Sequence, residues 1–126
     1  MSDSENSTFD EFNAFVDPDE TFIIFSSYGR KDELGNGDLN VSRNIQGVWM
    51  NAVHLSTPIN STALDYCPYI SPDKKYFFFT SGRHNISIPF PQKQTIQTLH
   101  TLLLNSLNGY DNIYWMRADK ILEAIR

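Results

Sequence analysis

A single cysteine, Cys67, serves the whole chain, so neither an intrachain disulfide nor a multi-cysteine metal site can form. Its neighbours Tyr66, Pro68 and Tyr69 are strand-packing residues. Cys67 is therefore expected to be a small buried hydrophobe rather than a nucleophile. Positive charge is also scarce. Ten Lys and Arg face fifteen Asp and Glu, a net charge of −5, which leaves no basic face for nucleic acid. No apolar run is long enough to cross a bilayer, so membrane insertion is not expected. The first residues, Met1 to Asn6, lack the positive and apolar regions of a signal peptide. No cofactor motif is found either: Gly35-Asn-Gly-Asp has no Lys-Ser/Thr to grip phosphate and Mg²⁺.

Aromatic residues are abundant. Nine Phe and six Tyr in 126 residues favour strands over a small helical bundle, and the length suits one domain. The chain also contains one segment twice. Residues 12–27 and 66–81 align at an offset of 54, with Pro18-Asp19 on Pro72-Asp73, Phe25 on Phe79 and Ser27 on Ser81. Such a segment is one supersecondary unit that cannot bury its own face alone, so it belongs to an array.

In the first copy, strands are expected at 12–16, at Phe22-Ile-Ile-Phe25 (apolar throughout, as if covered on both faces) and at Asp38–Ser42. Asp17-Pro18-Asp19-Glu20 is turn chemistry. Val48–Met50 with Ala52–Leu55 reads as a fourth, edge-like strand after Gly47. The second copy repeats the pattern with strands at 66–70 and 75–80 around Ser71-Pro72-Asp73-Lys74. Asn112–Arg117 then matches Asp38–Arg43 at an offset of 74, so about twenty residues are inserted, as repeat loops allow. Ile96, Leu99, Leu102, Leu103 and Leu107 have helical spacing before Gly109, which predicts a helix over 93–106. A short helix is expected at 118–125. Residues 1–10 read as a mobile, disordered polar tail, 11–62 and 63–117 as the two repeats, and 118–126 as the closing helix.

A repeat of about 40–50 residues with four strands is a propeller-blade signature, and two blades are fewer than the 4–8 of a closed ring. An apolar strand, Ser/Asp-Pro-Asp, a strand ending in Phe-Ser/Thr-Ser, a Gly-rich loop and then Asp-Leu together resemble the TolB-like propeller repeat, the Pro-Asp variant of the WD repeat. The resemblance covers about 11–83 and 109–125 and matches the C-terminal two blades of such bacterial propellers. The family usually carries Gly after Pro-Asp, where this chain has Glu20 and Lys74. The resemblance implies an all-β fold: two four-stranded antiparallel blades of a partial propeller, with a helical insert and a short C-terminal helix. It implies a scaffold that binds proteins and sometimes glycans, a periplasmic or envelope setting, and no shared catalytic residues.

Candidate sites read mainly as structure. Asp17, Asp19 and Asp73 suggest the paired acids of a glycosidase, but they occupy the repeated turn, where Asp bonds local backbone. Asp32, Glu33, Asn36 and Asp38 offer hard oxygens for Ca²⁺ without the EF-hand spacing, so Asp38 is expected to tie its loop to the third strand and no metal is assigned. His54, His84 and His100 share no metal spacing and read as strand-edge or surface residues. Ser26, Ser27, Ser71 and Ser81 recur, which argues for structure over catalysis. Arg30 and Arg83 recur at matched strand ends, where a structural pairing with an acid or carbonyl is expected. They also stand with Tyr28 and Trp49 as candidate contact residues, because loop-edge aromatics make good platforms. Tyr69, Tyr110, Tyr114 and Trp115 are further aromatics of this kind, and Trp115 equally suits a core.

The expectation is a non-enzymatic binding or scaffold module with a protein partner or self-association, since a half-ring leaves apolar flanks open. The alternatives are the propeller portion of a glycan hydrolase or peptidase, and a carbohydrate-binding module.

Overall fold

Each Pro-Asp turn folds its copy of the repeat into a hairpin, and the two hairpins match bond for bond. The computed structural model describes residues 6–125. In the first copy, Pro18 and Asp19 join β1 (Asp10–Val16) to β2 (Phe22–Tyr28). In the second, Pro72 and Asp73 join β6 (Asp65–Ile70) to β7 (Tyr76–Ser81). Asp17 N–H donates to Phe22 O at 3.0 Å and Glu20 N–H to Asp17 O at 2.7 Å. Their counterparts are Ser71 N–H to Tyr76 O at 2.9 Å and Lys74 N–H to Ser71 O at 2.8 Å. Glu20 and Lys74 take φ of 53° and 56°, the left-handed region in which glycine is most at ease. The turn keeps the glycine geometry without the glycine.

The match extends to irregularities. β1 bulges between Phe12 and Phe15, and β6 between Tyr66 and Tyr69. At each bulge one residue goes left-handed: Asn13 at φ 49° and Cys67 at φ 50°. This corrects the expectation for Cys67, which is exposed. A bulge leaves its extra residue out of the ladder and turns its side chain away from the packed face.

β3 (Asp38–Ile45) pairs antiparallel with β2, setting Ser27 opposite Asp38 and Phe22 opposite Arg43. β8 (Asn112–Arg117) pairs with β7 in the same register, Ser81 opposite Asn112 and Tyr76 opposite Arg117. The 74-residue offset read from the sequence is thus a register identity.

The fourth strand does not form as one piece. β4 (Val48–Trp49) pairs with the end of β3, and β5 (Val53–His54) with its middle. Both pair antiparallel to β3, with a break at residues 50–52. The second sheet has three strands, β6-β7-β8, among the described residues, because after Arg117 the chain enters α2 (Asp119–Ile125). Two four-stranded sheets were expected; a five-strand and a three-strand sheet are found. The structure is therefore mostly β, in two antiparallel sheets.

The core lies between the sheets. Phe22, Ile24, Leu39 and Val41 of the first meet Ile70, Phe77 and Phe79 of the second, joined by Leu55, Ile59, Ala118 and Ile121. Each of the Phe, Leu, Ile and Val side chains contributes about 1.5–3 kcal/mol on full burial. The Phe22–Phe25 run is buried throughout, as its unbroken apolarity predicted. Ala118, in the turn before α2, and Ile121 of α2 seal one end of the core, while Arg43 Nη1 donates to Ile125 O at 2.8 Å.

Helix α1 spans Ile96–Leu103, shorter than the expected 93–106. Thr95 starts it through a reciprocal capping box with Thr98, and Asn108 Nδ2 closes it on Leu103 O at 2.8 Å. Its apolar residues have helical spacing but no partner: none is buried, and Ile96 is 89% exposed. The acidic tail also begins its order earlier than expected, since Asp10 already pairs with Tyr28. Residues 1–5 and 126 lie outside the described residues.

Candidate functional site

The polar residues singled out by the sequence gather at the end of the sheets where β2 and β7 finish. Asp38 opens β3 fully buried. Its Oδ2 accepts from Leu34 N–H at 2.6 Å, which ties the Gly-rich loop to the strand. The same oxygen lies 2.7 Å from His54 Nε2. Asn60 Nδ2 is also 3.0 Å from that nitrogen, but it already donates to Leu39 O and Leu55 O. His54 Nε2 therefore donates to Asp38. Asn60 Oδ1 accepts from Leu39 N–H at 2.8 Å, so the side chain bonds both the N–H and the C=O of one β3 residue. His54 stands on an edge strand, as expected, yet its side chain is largely enclosed because β5 carries it over Asp38.

Of the suggested calcium ligands, Glu33 and Asp38 turn inward on their own loop, while Asp32 and Asn36 are exposed. Glu33 Oε2 accepts from Gly29 N–H at 2.7 Å, as Asp38 does from Leu34. No group of three potential ligands converges among the described residues. In the second copy Asn112 takes the place of Asp38. Its Nδ2 donates to Tyr110 O at 2.9 Å and Asn108 Oδ1 at 3.1 Å, holding the inserted loop.

Arg30 and Arg83 each find an acid at the matching place. Arg30 Nη2 meets Glu11 Oε1 at 3.0 Å, and Arg83 Nη2 meets Asp65 Oδ1 at 2.9 Å. Each guanidinium also lies over the matched phenylalanine: Arg30 5.5 Å from the Phe25 centroid, Arg83 5.0 Å from that of Phe79. Arg83 does more. It also stacks over Tyr114 at 5.0 Å and donates to Ser81 Oγ, Pro58 O and Ile59 O. Asp65, fully buried, in turn accepts from Ser61 N–H and Oγ. Arg83 thus pins the linker between the repeats to the second sheet. Sequence reading passed over Asp65 and Glu11, yet the repeat offset of 54 that separates them was available as a signal.

The turn acids occupy the opposite end. Lys74 Nζ bridges Asp17 Oδ1 at 3.1 Å and Asp19 Oδ2 at 3.0 Å, so one repeat's turn is clamped to the other's. Burial pushes the Asp17 carboxyl up, but hydrogen bonds from Thr21 and Lys74, with the lysine charge, outweigh it and hold it below its usual value. Asp73 also lies low, chiefly through its bond from Ser71. A general acid needs the reverse shift.

Of the loop-edge aromatics, Tyr28 is 52% exposed where β2 ends. Trp49 is half-buried and pairs with Asn44, beside the start of β2. They therefore stand at opposite ends of the first sheet. A larger aromatic surface joins two of the further candidates, Tyr69 and Trp115, to Tyr76 and Phe78, which sequence reading passed over. On the face of the second sheet turned away from the core, Tyr69, Tyr76, Phe78 and Trp115 form one chain of ring contacts, with centroids 5.5–6.5 Å apart. Trp115 lies 63% exposed within it. No helix of the described residues is long and apolar enough to cross a membrane. Comparisons of the chain with protein-family models, curated proteins and solved structures found no match.

Proposed function

We propose that this chain is a non-catalytic binding or scaffold module of the TolB-like propeller type, two blades in extent, which holds a protein partner at the bacterial cell envelope. The observation that carries this reading is how the polar groups are used. Asp17, Asp38, Asp65, Arg30, Arg83 and Lys74 are the groups with chemical potential, and each is spent on a turn, loop or linker. Most have a counterpart in the other copy. What remains at the surface for recognition is aromatic: Tyr28 at the loop end, and the rings of the second sheet. Large aromatics at a surface give contact area at low entropic cost, which suits protein recognition.

Sugar stacking needs rings laid flat, and the Tyr76–Trp115 pair stands at 73°. That angle favours a protein over a glycan as the partner.

The test is capture of partners from a cell-envelope extract on the immobilised chain, followed by calorimetry with each purified candidate. A defined stoichiometry, weakened about tenfold or more by Tyr28→Ala, is the expected result. A titratable hit on a glycan array with no protein partner would replace the reading with a carbohydrate-binding module. Turnover of a glycoside or peptide substrate would replace it with an enzyme.

A further inference from the structure

We infer that the outer face of the second sheet is a self-association surface, which pairs with the same face of a second copy of this chain about a two-fold axis. The argument starts from the repeat. At offsets of 54 and 74, the outer-face residues Tyr69, Tyr76, Phe78, Ile113, Trp115 and Arg117 correspond to Phe15, Phe22, Ile24, Leu39, Val41 and Arg43. The latter set is the face of the first sheet that packs on the second. One copy of the face is thus covered by a neighbouring sheet. The other is open over most of its extent, with Ile113 at 77% and Trp115 at 63% exposure, while Tyr69 meets the first sheet, edge-on to Phe15 at 5.6 Å. Neither helix covers it: α2 packs into the core, and α1 buries none of its residues.

Three observations point to a second copy as the occupant. First, the face suits its own kind electrostatically. In a chain of net charge −5 its strand residues Tyr69, Tyr76, Phe78, Ile113, Trp115 and Arg117 include no carboxylate, and Arg117 is neutralised by Asp119 at 3.2 Å. Second, the area is adequate. Four rings offering roughly 150–250 Å² each, about half exposed, together with Ile113 and Arg117, give two facing copies on the order of 1,200 Å² of buried surface, the lower bound for a stable dimer. Third, a head-to-tail stack is closed off. The opposite face of the first sheet, which would have to receive this one, already has Ile23, Phe25, Asn40 and Ser42 buried. The tilted and edge-on rings interdigitate with a like face better than they would lie under a flat ligand.

This inference goes beyond the proposed function by naming a second copy as the occupant of the second-sheet rings; the partner test there reads Tyr28 at the end of the first sheet, so either can fail alone. The experiment is sedimentation equilibrium over a concentration series for the chain and for Trp115→Glu and Ile113→Glu. Both side chains are exposed, so each variant is expected to keep the parent's circular dichroism and melting curve. The expected result is a monomer–dimer equilibrium in the parent, weakened a hundredfold or more in each variant. In a Trp49→Phe background, Trp115 emission is expected to shift to the blue as the dimer forms. A parent that stays monomeric into the millimolar range would overturn the inference. So would a dimer that Trp115→Glu leaves intact, or an open-ended ladder of masses, which would mean head-to-tail growth.

Discussion

Lys74 Nζ lies 3.1 Å from Asp17 Oδ1, joining the left-handed position of one Pro-Asp turn to the first residue of the other. The two groups respond to pH in opposite directions. Asp17 sits below its usual value when folded, so it contributes stability above pH about 4, and this is lost as pH falls through the folded value. Lys74 sits above its usual value because of its hydrogen bonds to Asp19 and Asp17. Its contribution is present below pH about 10.5 and is lost as pH rises through the folded value. Lys74→Met is expected to cost about 1 kcal/mol near neutrality, the upper end for a partly exposed pair, and progressively less as pH falls through the folded value of Asp17. Urea midpoints across a pH series measure this. A cost that stays constant down to the acid-unfolding limit of the series would refute the clamp.

Arg83 and Arg30 look equivalent in sequence but differ in what they hold. Arg83→Met keeps the packed stem and strands the fully buried Asp65 together with two linker carbonyls, so a loss of about 3 kcal/mol is expected. Arg30→Met leaves Glu11, which still reaches solvent, and is expected to cost about 1 kcal/mol. Equal losses in denaturant titrations would contradict the description of Arg83 as the linker's anchor.

At Glu20 a non-glycine residue holds a left-handed conformation without a long-range ion pair among the described residues. Glu20→Gly is expected to raise stability by about 0.5–1 kcal/mol, as relief of strain exceeds the added freedom of the unfolded chain. Lys74→Gly relieves the same strain but removes the clamp, so no net gain is expected. The thermal midpoints of the pair decide it, and a stabilised Lys74→Gly would show that the ion pair contributes nothing.

Gly35 marks the close approach of the first loop to the linker. A Cβ there would stand 2.5 Å from both Ala63 O and the Thr62 carbonyl carbon, backbone atoms with little room to move. Gly35→Ala is expected to cost about 1–3 kcal/mol through overpacking. Gly47, at φ 84° with nothing within 4 Å of its Cβ position, serves as the control: its alanine variant bears backbone strain alone, about 1 kcal/mol. If calorimetry ranks Gly47→Ala as the more damaging, the packing account fails.

The hairpins were legible because Pro, Asp and alternating apolar residues act locally. The offsets of 54 and 74 reappear as identical registers, down to the left-handed Asn13 and Cys67. Cys67 itself was misplaced because periodicity does not reveal a bulge, and one extra residue turns a side chain from core to solvent. Helix α1 was overextended because its leucines have the right spacing, and spacing says nothing about whether a partner lies opposite. The split of the fourth strand into Val48–Trp49 and Val53–His54 was equally hidden.

Sequence by itself determined the β character, the two copies and their turns, because backbone propensity and residue alternation are properties of neighbours along the chain. Only the tertiary structure decided which acid each arginine meets, that Lys74 crosses between repeats, and that one copy of an apolar face is buried while the other stays open. Those outcomes depend on which surfaces the fold brings within a few ångströms. No local pattern encodes that distance.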